Sequence, residues 1–600
     1  MNAQTTPSTV DWQALADSTL QQAVQNNEVP GATVAIVSSD EVIFSAGFGI
    51  SQTDSSNPVT DSTLFQVGSI GKVLTAMAVL QQVERGRLDL STDVNSYLSE
   101  LAIELPGEIP LTLHHLLTHS GGMNDRAIGY AVREPEALVG LDEHLNQNFP
   151  TFFAEPGRYI SYSNYGYGLA GLVVENVTQT PFKDYVSSEI LSPLGITESG
   201  YEPGPSVDQA IGYRKQEDSF VDFPPVYRPV TPAGSFVASA RDMGRLLQAF
   251  LNNGSPVLSY MSIEAMTSVQ MTMHPALMGN TYGLEESKWG AIRGFGKGGS
   301  IPGFMSYMVL LPDHNLGIFA TVNSSSDAPI DAFILAAMQQ LAPGSPTNPA
   351  PSTSVDVTSY AGEFRSNRYD RTSLEKLLNF DVRQVYATDE NLRIWHDGAM
   401  NTYLPVETGL FQHADNPHRH LFFEVNEAGQ PTHAYFNDRI AGGYVPVVWE
   451  KNGLLDSNLY VNEYFGVVMI GALGYLLLPI IALLAWLIRR RKPNVIHPGQ
   501  TRRWMHLTGF FTSALLLVYV LVYFIPLLKS RPELIFGIPE QLTAWASLPA
   551  FIIGGFVVFA GLLVAVLRQA DQRNWKLLFA GVYLACGILV SEFCIRWNLI

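Results

Sequence analysis

The spacing of hydrophobic and polar residues changes along the chain and predicts its elements in order. Apolar residues recur at helical spacing over residues 12–27, and two short β-like segments, 32–37 and 42–48, follow. This order predicts an opening helix and a β-hairpin. A continuously apolar segment at 69–83 then predicts a long buried helix.

Strand patterns return further along the chain. Between about 90 and 290 the pattern is mostly helical, broken by Pro and Gly loops, and strand patterns reappear at 304–311 and 317–322. Strand-forming segments at both ends of a helical stretch predict one α/β domain, an antiparallel sheet flanked by helices, with an inserted all-α region. This domain is expected to span residues 1–342.

A change in composition marks the next boundary. Prolines crowd the segment 343–354, which cannot continue a helix or a central strand and is predicted to be a linker. Over residues 355–452, short aromatic and polar alternations are separated by turn residues. We predict a small β-rich, barrel-like domain there.

Four apolar segments close the chain, each near the ~20 residues that cross a bilayer. They are residues 464–488, 504–528, 545–567 and 575–597. The last three have a Trp at an edge, where its amphipathic ring suits the headgroup zone of a bilayer. Residues 464–600 are therefore predicted to form four transmembrane helices, with the lipid bilayer as a partner.

The charge distribution orients this region. From Tyr464 onward there are twelve Lys and Arg and four Asp and Glu, a net charge of +8. Because the whole chain has a net charge of −19, residues 1–463 carry −27. The basic residues concentrate in two loops: Arg489, Arg490, Arg491, Lys492, Arg502 and Arg503 in one, and Arg568, Arg573 and Lys576 in the other. Because basic loops stay in the cytoplasm, both loops are predicted to be cytoplasmic and the acidic body that precedes them exoplasmic. No export signal is visible in residues 1–30.

Composition also excludes several classes. The acidic balance argues against nucleic acid as a partner, because phosphate binding needs a basic face. The two cysteines, Cys586 and Cys594, lie in the last apolar segment, so a disulfide scaffold is not expected. No G-x-S-x-G or H-E-x-x-H motif occurs. The oligomeric state is left open.

The strongest chemical signal is Ser69-Ile70-Gly71-Lys72 at the start of the long helix. A serine hydroxyl needs a base to become nucleophilic, and residues three apart share one helix face. Burial among apolar neighbours would lower the pKa of Lys72 enough for it to act as that base. By itself, an S-x-x-K on a solvated helix is common by chance.

Two further segments carry suitable groups. In Tyr162-Ser163-Asn164 the phenol can transfer protons and Asn164 offers both a donor and an acceptor. In Lys297-Gly298-Gly299-Ser300, the glycines admit a substrate backbone and Lys297 supplies positive charge. Alone, the first could be a simple turn and the second a glycine-rich bulge.

Together, with gaps of about 90 and about 135 residues, S-x-x-K, Y-x-N and K-x-G resemble the serine β-lactamase and penicillin-binding-protein superfamily. The Y-x-N is similar to that of the class C β-lactamases and of related esterases and D-peptidases. Segments 113–122, 162–168 and 193–196 match as well, and the resemblance covers about residues 12–342. More loosely, residues 355–450 resemble the lipocalin-like barrel that some members append.

The resemblance implies roles for the motif residues. Ser69 would be the acylated nucleophile and Lys72 its base or proton relay. Tyr162 would activate the leaving group and later the hydrolytic water, and Asn164 would orient the substrate.

The third motif implies the remaining contacts. Lys297, with Gly299 beside it, would bind anionic substrate groups, and the backbone N–H groups of Ser69 and Ser300 would form the oxyanion hole. Lactamases usually carry Lys-Thr-Gly at this position, whereas this chain carries Lys297-Gly298-Gly299. It therefore retains the lysine but lacks the threonine hydroxyl that would help to recognise the carboxylate of a lactam. No cofactor and no metal are implied: His114, His115 and His119 lie on an apolar segment and are expected to be structural.

The sequence thus predicts a membrane-anchored serine hydrolase acting through an acyl-serine on amide or ester bonds. The substrate would be a small molecule or peptide, with D-residue-containing peptides or β-lactams preferred. Two alternatives stay open: a penicillin-binding sensor that is acylated with little turnover and signals through its transmembrane helices, and a catalytically silent interaction protein.

Overall fold

The computed structural model describes residues 10–54, 57–99, 101–201, 208–342, 355–373, 375–378, 381–396, 399–440, 443–452, 500–529, 534, 538–543, 545–569, 581, 583–585 and 587–591. The chain divides into two compact units. The first comprises Met1–Asp125, Ala131–Arg368 and Arg383–Lys451, and the second comprises Arg126–Tyr130, Tyr369–Val382 and Asn452–Ile600.

Strands of the first unit up to residue 342 form one large sheet and two small ribbons. They are β1 Gly31–Val37, β2 Val42–Gly49, β3 Phe65–Gly68, β4 Tyr213–Gln216, β5 Ser219–Asp222, β6 Phe236–Ala238, β7 Glu285–Trp289, β8 Ile292–Ile301, β9 Phe304–Leu311 and β10 Leu316–Val322. The large sheet has the order β2-β1-β10-β9-β8-β7, while β3 pairs with β6 and β4 with β5.

The sheet joins the two ends of this domain. In β1, Ala32 lies opposite Phe48 of β2 on one side and Val322 of β10 on the other, all antiparallel. Every residue of β1 is buried because the strand is central and both of its faces are covered. The predicted hairpin, the returning strands and the α/β architecture are confirmed.

Helices cover the sheet and fill the region between its strands. They are α1 Trp12–Ala16, α2 Gln22–Gln25, α3 Gly71–Glu84, α4 Leu113–Leu117, α5 Leu141–Gln147, α6 Asn164–Thr178, α7 Phe182–Val186, α8 Ala240–Leu251, α9 Tyr260–Met266 and α10 Ala328–Leu341. A π-helical turn, Asp17–Gln21, joins α1 to α2. The region predicted to be helical, about 90–290, contains α4 to α9 joined by loops, and the strands β4 to β7 also lie within it.

The β-rich segment forms a closed eight-stranded antiparallel barrel, as the aromatic and polar alternation predicts. Its strands are β11 Gly362–Ser366, β12 Val382–Ala387, β13 Leu392–His396, β14 Ala399–Glu407, β15 Leu410–His413, β16 His420–Val425, β17 Pro431–Ile440 and β18 Gly443–Lys451. Aromatic residues such as Phe364, Phe411, Phe423 and Trp449 form its core.

Contacts that the sequence does not predict join the barrel to the α/β domain of residues 10–342, called the body. Ile160 and Leu277 of the body pack with Tyr435 and Val448 of the barrel. The buried Asn437 side chain accepts a hydrogen bond from the Met278 amide at 3.2 Å and donates one to the Met278 carbonyl at 3.1 Å. Body and barrel therefore belong to one compact unit.

The second unit is helical in its described part: α11 Glu375–Leu378, α12 Gln500–Val518, a π-helical segment Tyr519–Phe524, α13 Ile525–Lys529, α14 Glu540–Thr543 and α15 Leu548–Gln569. Two segments, Arg503–Leu527 and Leu548–Ala565, are long and apolar enough to cross a membrane. They coincide with the second and third predicted spans. The linker 343–354, the first predicted span 464–488 and most of the fourth, 575–597, lie outside the described residues.

Candidate active site

Ser69 lies at the junction between β3 and α3. Gly68 adopts a left-handed conformation with φ of 52°, which turns the chain sharply out of the strand. The Lys72 amide then donates to the Ser69 carbonyl at 3.1 Å, and α3 begins at Gly71, two residues later than predicted. Ser69 is therefore half-buried at the strand end, with Lys72 one turn further on.

The Lys72 side chain is fully buried among hydrogen-bond acceptors. Its Nζ lies 2.7 Å from Asn164 Oδ1, 2.5 Å from the Ala233 carbonyl oxygen and 3.3 Å from Ser69 Oγ. A neutral amine has two N–H donors and one lone pair. Two N–H groups directed at the two carbonyl oxygens leave the lone pair for the Ser69 hydroxyl proton.

The surroundings of Lys72 favour this neutral form. Burial holds the pKa of Lys72 well below its ordinary value, and the positive charges of Lys297, Arg368 and Arg228 lower it further, against a smaller opposing effect of Asp125. The arrangement can therefore supply an unprotonated base beside a serine hydroxyl.

Tyr162 and Asn164 reach the same point from the start of α6. Ser163 caps this helix, since its hydroxyl accepts a hydrogen bond from the Gly166 amide at 3.0 Å. The Tyr162 hydroxyl donates to Ser69 Oγ at 2.7 Å. The structure thus brings Ser69 and Lys72 together with two residues more than 90 positions away.

The third motif lies on β8, next to β3, the strand that ends just before Ser69. β7 pairs with β8 only as far as Gly296, and β3 lies against the residues that follow. A Cβ at Gly299 would stand 2.0 Å from the Val67 carbonyl oxygen, so only glycine allows this approach. Because of it, the Ser300 backbone lies beside the β3–α3 turn.

Lys297 has a partner that the sequence does not predict. Its side chain is buried and forms an ion pair with the buried Glu285, which stands on the neighbouring strand β7. Burial is the largest single influence and lowers the pKa of Lys297, but the charge and hydrogen bond of Glu285 together with Tyr162 outweigh it, so the pKa is raised. Lys297 Nζ lies 5.1 Å from the centroid of the Tyr162 ring.

Sequence reasoning also missed the role of His119. Its ring stacks on Tyr162 at 4.3 Å between centroids, and its Nδ1 accepts a hydrogen bond from the Ser163 amide at 3.1 Å. Burial, followed by the nearby positive charges, holds the pKa of His119 well below its ordinary value, so the ring is neutral. It is a rigid support for the Tyr162 ring.

The other two histidines of that segment have separate partners. His114 Nδ1 lies 2.9 Å from the Tyr282 hydroxyl, and His115 completes a capping box with Thr112. Among the residues that the structure describes, no group of three or more His, Cys, Asp or Glu could hold a metal ion.

A second missed residue comes from the barrel segment. The guanidinium of Arg368 lies 4.5 Å from the Tyr162 ring centroid, and its Nε donates to Asp125 Oδ2 at 2.7 Å. Arg368 is about 200 residues from Tyr162 in sequence and belongs to no motif. Nothing in the sequence pattern connects the two residues.

Comparison with known families agrees with this geometry. The beta-lactamase family profile matches residues 16–342, more than half of the chain. The chain belongs to the beta-lactamase family. The matched region includes Ser69 and Lys72, whose Oγ and Nζ atoms lie 3.3 Å apart.

Individual members of this family are distant relatives. Protein flp of Staphylococcus aureus (strain N315) is 25% identical over 336 residues, which cover 53% of this chain and 64% of flp. Esterase EstB of Burkholderia gladioli is 30% identical over 205 residues, covering 31% of this chain and 51% of EstB. The chain thus spans less than two thirds of the length of either relative.

A solved structure shares the fold. The octameric penicillin-binding protein homologue from Pyrococcus abyssi superposes with a TM-score of 0.51 at 21% identity, covering 74% of this chain and 97% of that one. This similarity extends beyond the part that the family profile matches.

Proposed function

We propose that this chain is a membrane-anchored hydrolase of the class C, esterase and D-peptidase branch, which forms an acyl-enzyme on Ser69 and hydrolyses it. Its substrates are amides or esters, with D-residue-containing peptides preferred and β-lactams as a second group. One observation carries the proposal: the buried Lys72 contacts Ser69 Oγ while Asn164 and Ala233 occupy its N–H groups.

Acylation follows from these contacts. The Lys72 lone pair takes the Ser69 proton as Oγ bonds to the substrate carbonyl carbon. The C–N or C–O bond then breaks, and the leaving group takes a proton from the Tyr162 hydroxyl, which stands 2.7 Å from Oγ. The proton held by Lys72 restores the tyrosine hydroxyl.

Deacylation reverses these roles. Water takes the place of the leaving group and bonds to the acyl carbon through its oxygen, while the Tyr162 oxygen accepts the water proton and the tyrosine's own proton passes to Lys72. The bond to Ser69 Oγ then breaks, and Lys72 returns the proton to Oγ, so one water molecule is consumed per turnover. In both steps the backbone N–H groups of Ser69 and Ser300 are proposed to stabilise the oxyanion, at ~3–4 kcal/mol per donor.

Two observations support the substrate classes. The identity with Esterase EstB supports ester hydrolysis. The Tyr162-Ser163-Asn164 motif, with both functional side chains directed at Ser69 and Lys72, supports the D-peptidase and class C branch. The missing threonine of the third motif makes β-lactams the less favoured substrates.

Exposed apolar surface supports the membrane anchor. In the two long helices of the second unit, Phe511, Phe551 and Val557 are each more than 60% exposed. Soluble proteins rarely leave such large side chains uncovered along one helix, whereas lipid would cover them. The basic loops support the proposal that the catalytic body lies on the exoplasmic side.

The test uses the full chain in washed membranes, treated with a fluorescent fluorophosphonate. We expect labelling that Ser69→Ala abolishes and that the exposed Ser188→Ala leaves unchanged, with the labelled band retained in the pellet after carbonate extraction. Persistent labelling of Ser69→Ala would place the nucleophile elsewhere, and release by carbonate would contradict the anchor. Stable penicillin acylation without turnover would favour the sensor alternative.

A further inference from the structure

We propose that Arg368, supplied by the barrel segment, determines specificity by binding a carboxylate on the substrate's leaving group. This inference rests on the acyl-serine hydrolysis proposed above and adds the substrate class. The preferred substrate is an ester or amide whose departing alcohol or amine carries a carboxylate.

The residue before Arg368 holds it in place. The Asn367 amide donates to the Val448 carbonyl of the barrel at 2.9 Å. The buried Asn367 side chain donates to the Ile160 carbonyl of the body at 3.0 Å, two residues before Tyr162. This clamp joins the barrel segment to the loop of Tyr162 and positions the Arg368 guanidinium 4.5 Å from its ring.

The guanidinium is the more exposed half of its ion pair. Arg368 pairs with Asp125, but the arginine side chain is 46% exposed and the aspartate only 8%. The buried carboxylate orients the guanidinium, and the aromatic ring supports its flat face. A planar guanidinium held in this way suits carboxylate recognition.

Lys297 is less suited to the same task. Its side chain is only 3% exposed, and its charge is paired with Glu285. Of these two positive groups beside Tyr162, the accessible one is therefore Arg368 of the barrel segment and not Lys297 of β8.

The side of the site that Arg368 occupies indicates which half of the substrate it meets. The Tyr162 hydroxyl contacts Ser69 Oγ and is the proposed proton donor to the leaving group. A leaving group that departs toward this hydroxyl comes within reach of the guanidinium over the same ring. The acyl half, which stays on Ser69, does not need to pass Arg368.

A matched pair of esters tests the assignment. In 4-acetoxybenzoate the departing phenol carries a carboxylate, and in the methyl ester of the same compound that carboxylate is neutralised. The full chain in detergent is expected to prefer the anionic ester. Arg368→Gln should lower kcat/KM for the anionic ester about 10- to 100-fold, the range of a charged hydrogen bond, and for the neutral ester less than about threefold. Arg368→Lys should retain part of the preference.

Arg158→Gln is the control, because Arg158 also pairs with a barrel residue, Glu424, but contacts Tyr159 instead of Tyr162. It should leave the ratio between the two esters unchanged. Equal loss on both esters in Arg368→Gln, or no preference in the unmodified chain, would overturn the inference. Hydrolysis of neither ester, with no Ser69-dependent labelling, would instead count against the proposed function.

Discussion

The β3–α3 turn and the edge of β8 each bury one lysine beside the same aromatic ring. Lys72 and Lys297 lie 4.8 and 5.1 Å from the centroid of Tyr162, and both are almost completely inaccessible. Burial nevertheless lowers the pKa of Lys72, whereas the pKa of Lys297 is raised because Glu285 and Tyr162 together outweigh burial. The neighbouring group, and not burial alone, decides whether a lysine serves as a base or as a fixed charge.

The two regions are also coupled. After burial, the positive charge of Lys297 is the largest cause of the lowered pKa of Lys72. The positive charge of Lys297 on β8 therefore helps to keep Lys72 on α3 unprotonated, although the hydrogen bond of Lys297 goes to Glu285.

The largest effect is expected from removing the base. Lys72→Met keeps the length of the side chain but cannot accept a proton, so kcat should fall by about 10²–10⁴, the usual contribution of a general base. The exposed Lys215→Met is the control and should retain full activity. Steady-state hydrolysis of 4-acetoxybenzoate methyl ester measures both, and near-normal kcat in Lys72→Met would refute the base assignment.

A smaller effect, on stability, is expected from removing the partner of Lys297. Glu285→Gln leaves a buried lysine without its carboxylate, and the free energy of unfolding should fall by about 3–5 kcal/mol. The adjacent Glu286→Gln should cost less, since its partner Arg293 has a side chain that is 47% exposed. Chemical unfolding of the full chain in detergent measures the free energy of unfolding of both variants. Equal losses would contradict the expectation that the buried Glu285–Lys297 pair stabilises the fold more than the exposed pair does.

The smallest effect is a shift in pH dependence. Arg228→Gln removes a positive charge that lowers the pKa of Lys72, so the protonated amine is favoured and its pKa rises. The acid limb of kcat/KM, where activity appears as Lys72 loses its proton, should move to higher pH by less than about one unit. A shift to lower pH would contradict the electrostatic account.

Local patterns predicted a large part of this molecule. Ser69 and Lys72 are one helical turn apart, so the hydroxyl and the amine meet wherever that turn forms. Alternating and continuous apolar segments likewise predicted the sheet, the barrel and two helices able to span a membrane, because each depends on the periodicity of neighbouring residues. Tyr162 and Asn164 were singled out for their chemistry, but only the resemblance to known motifs connected them with Ser69 and Lys72.

Contacts between distant segments were decided by the tertiary structure. The pairing of Glu285 with Lys297 occurs where β7 begins, since Glu285 lies opposite Gly296, the residue before Lys297 on β8. The approach of Arg368 to Tyr162 depends on how the barrel packs on the body. The chain by itself therefore determined the meeting of the proposed nucleophile and its base, which are neighbours in sequence. The charges around them were set by packing, because Coulomb interactions depend on distance in space.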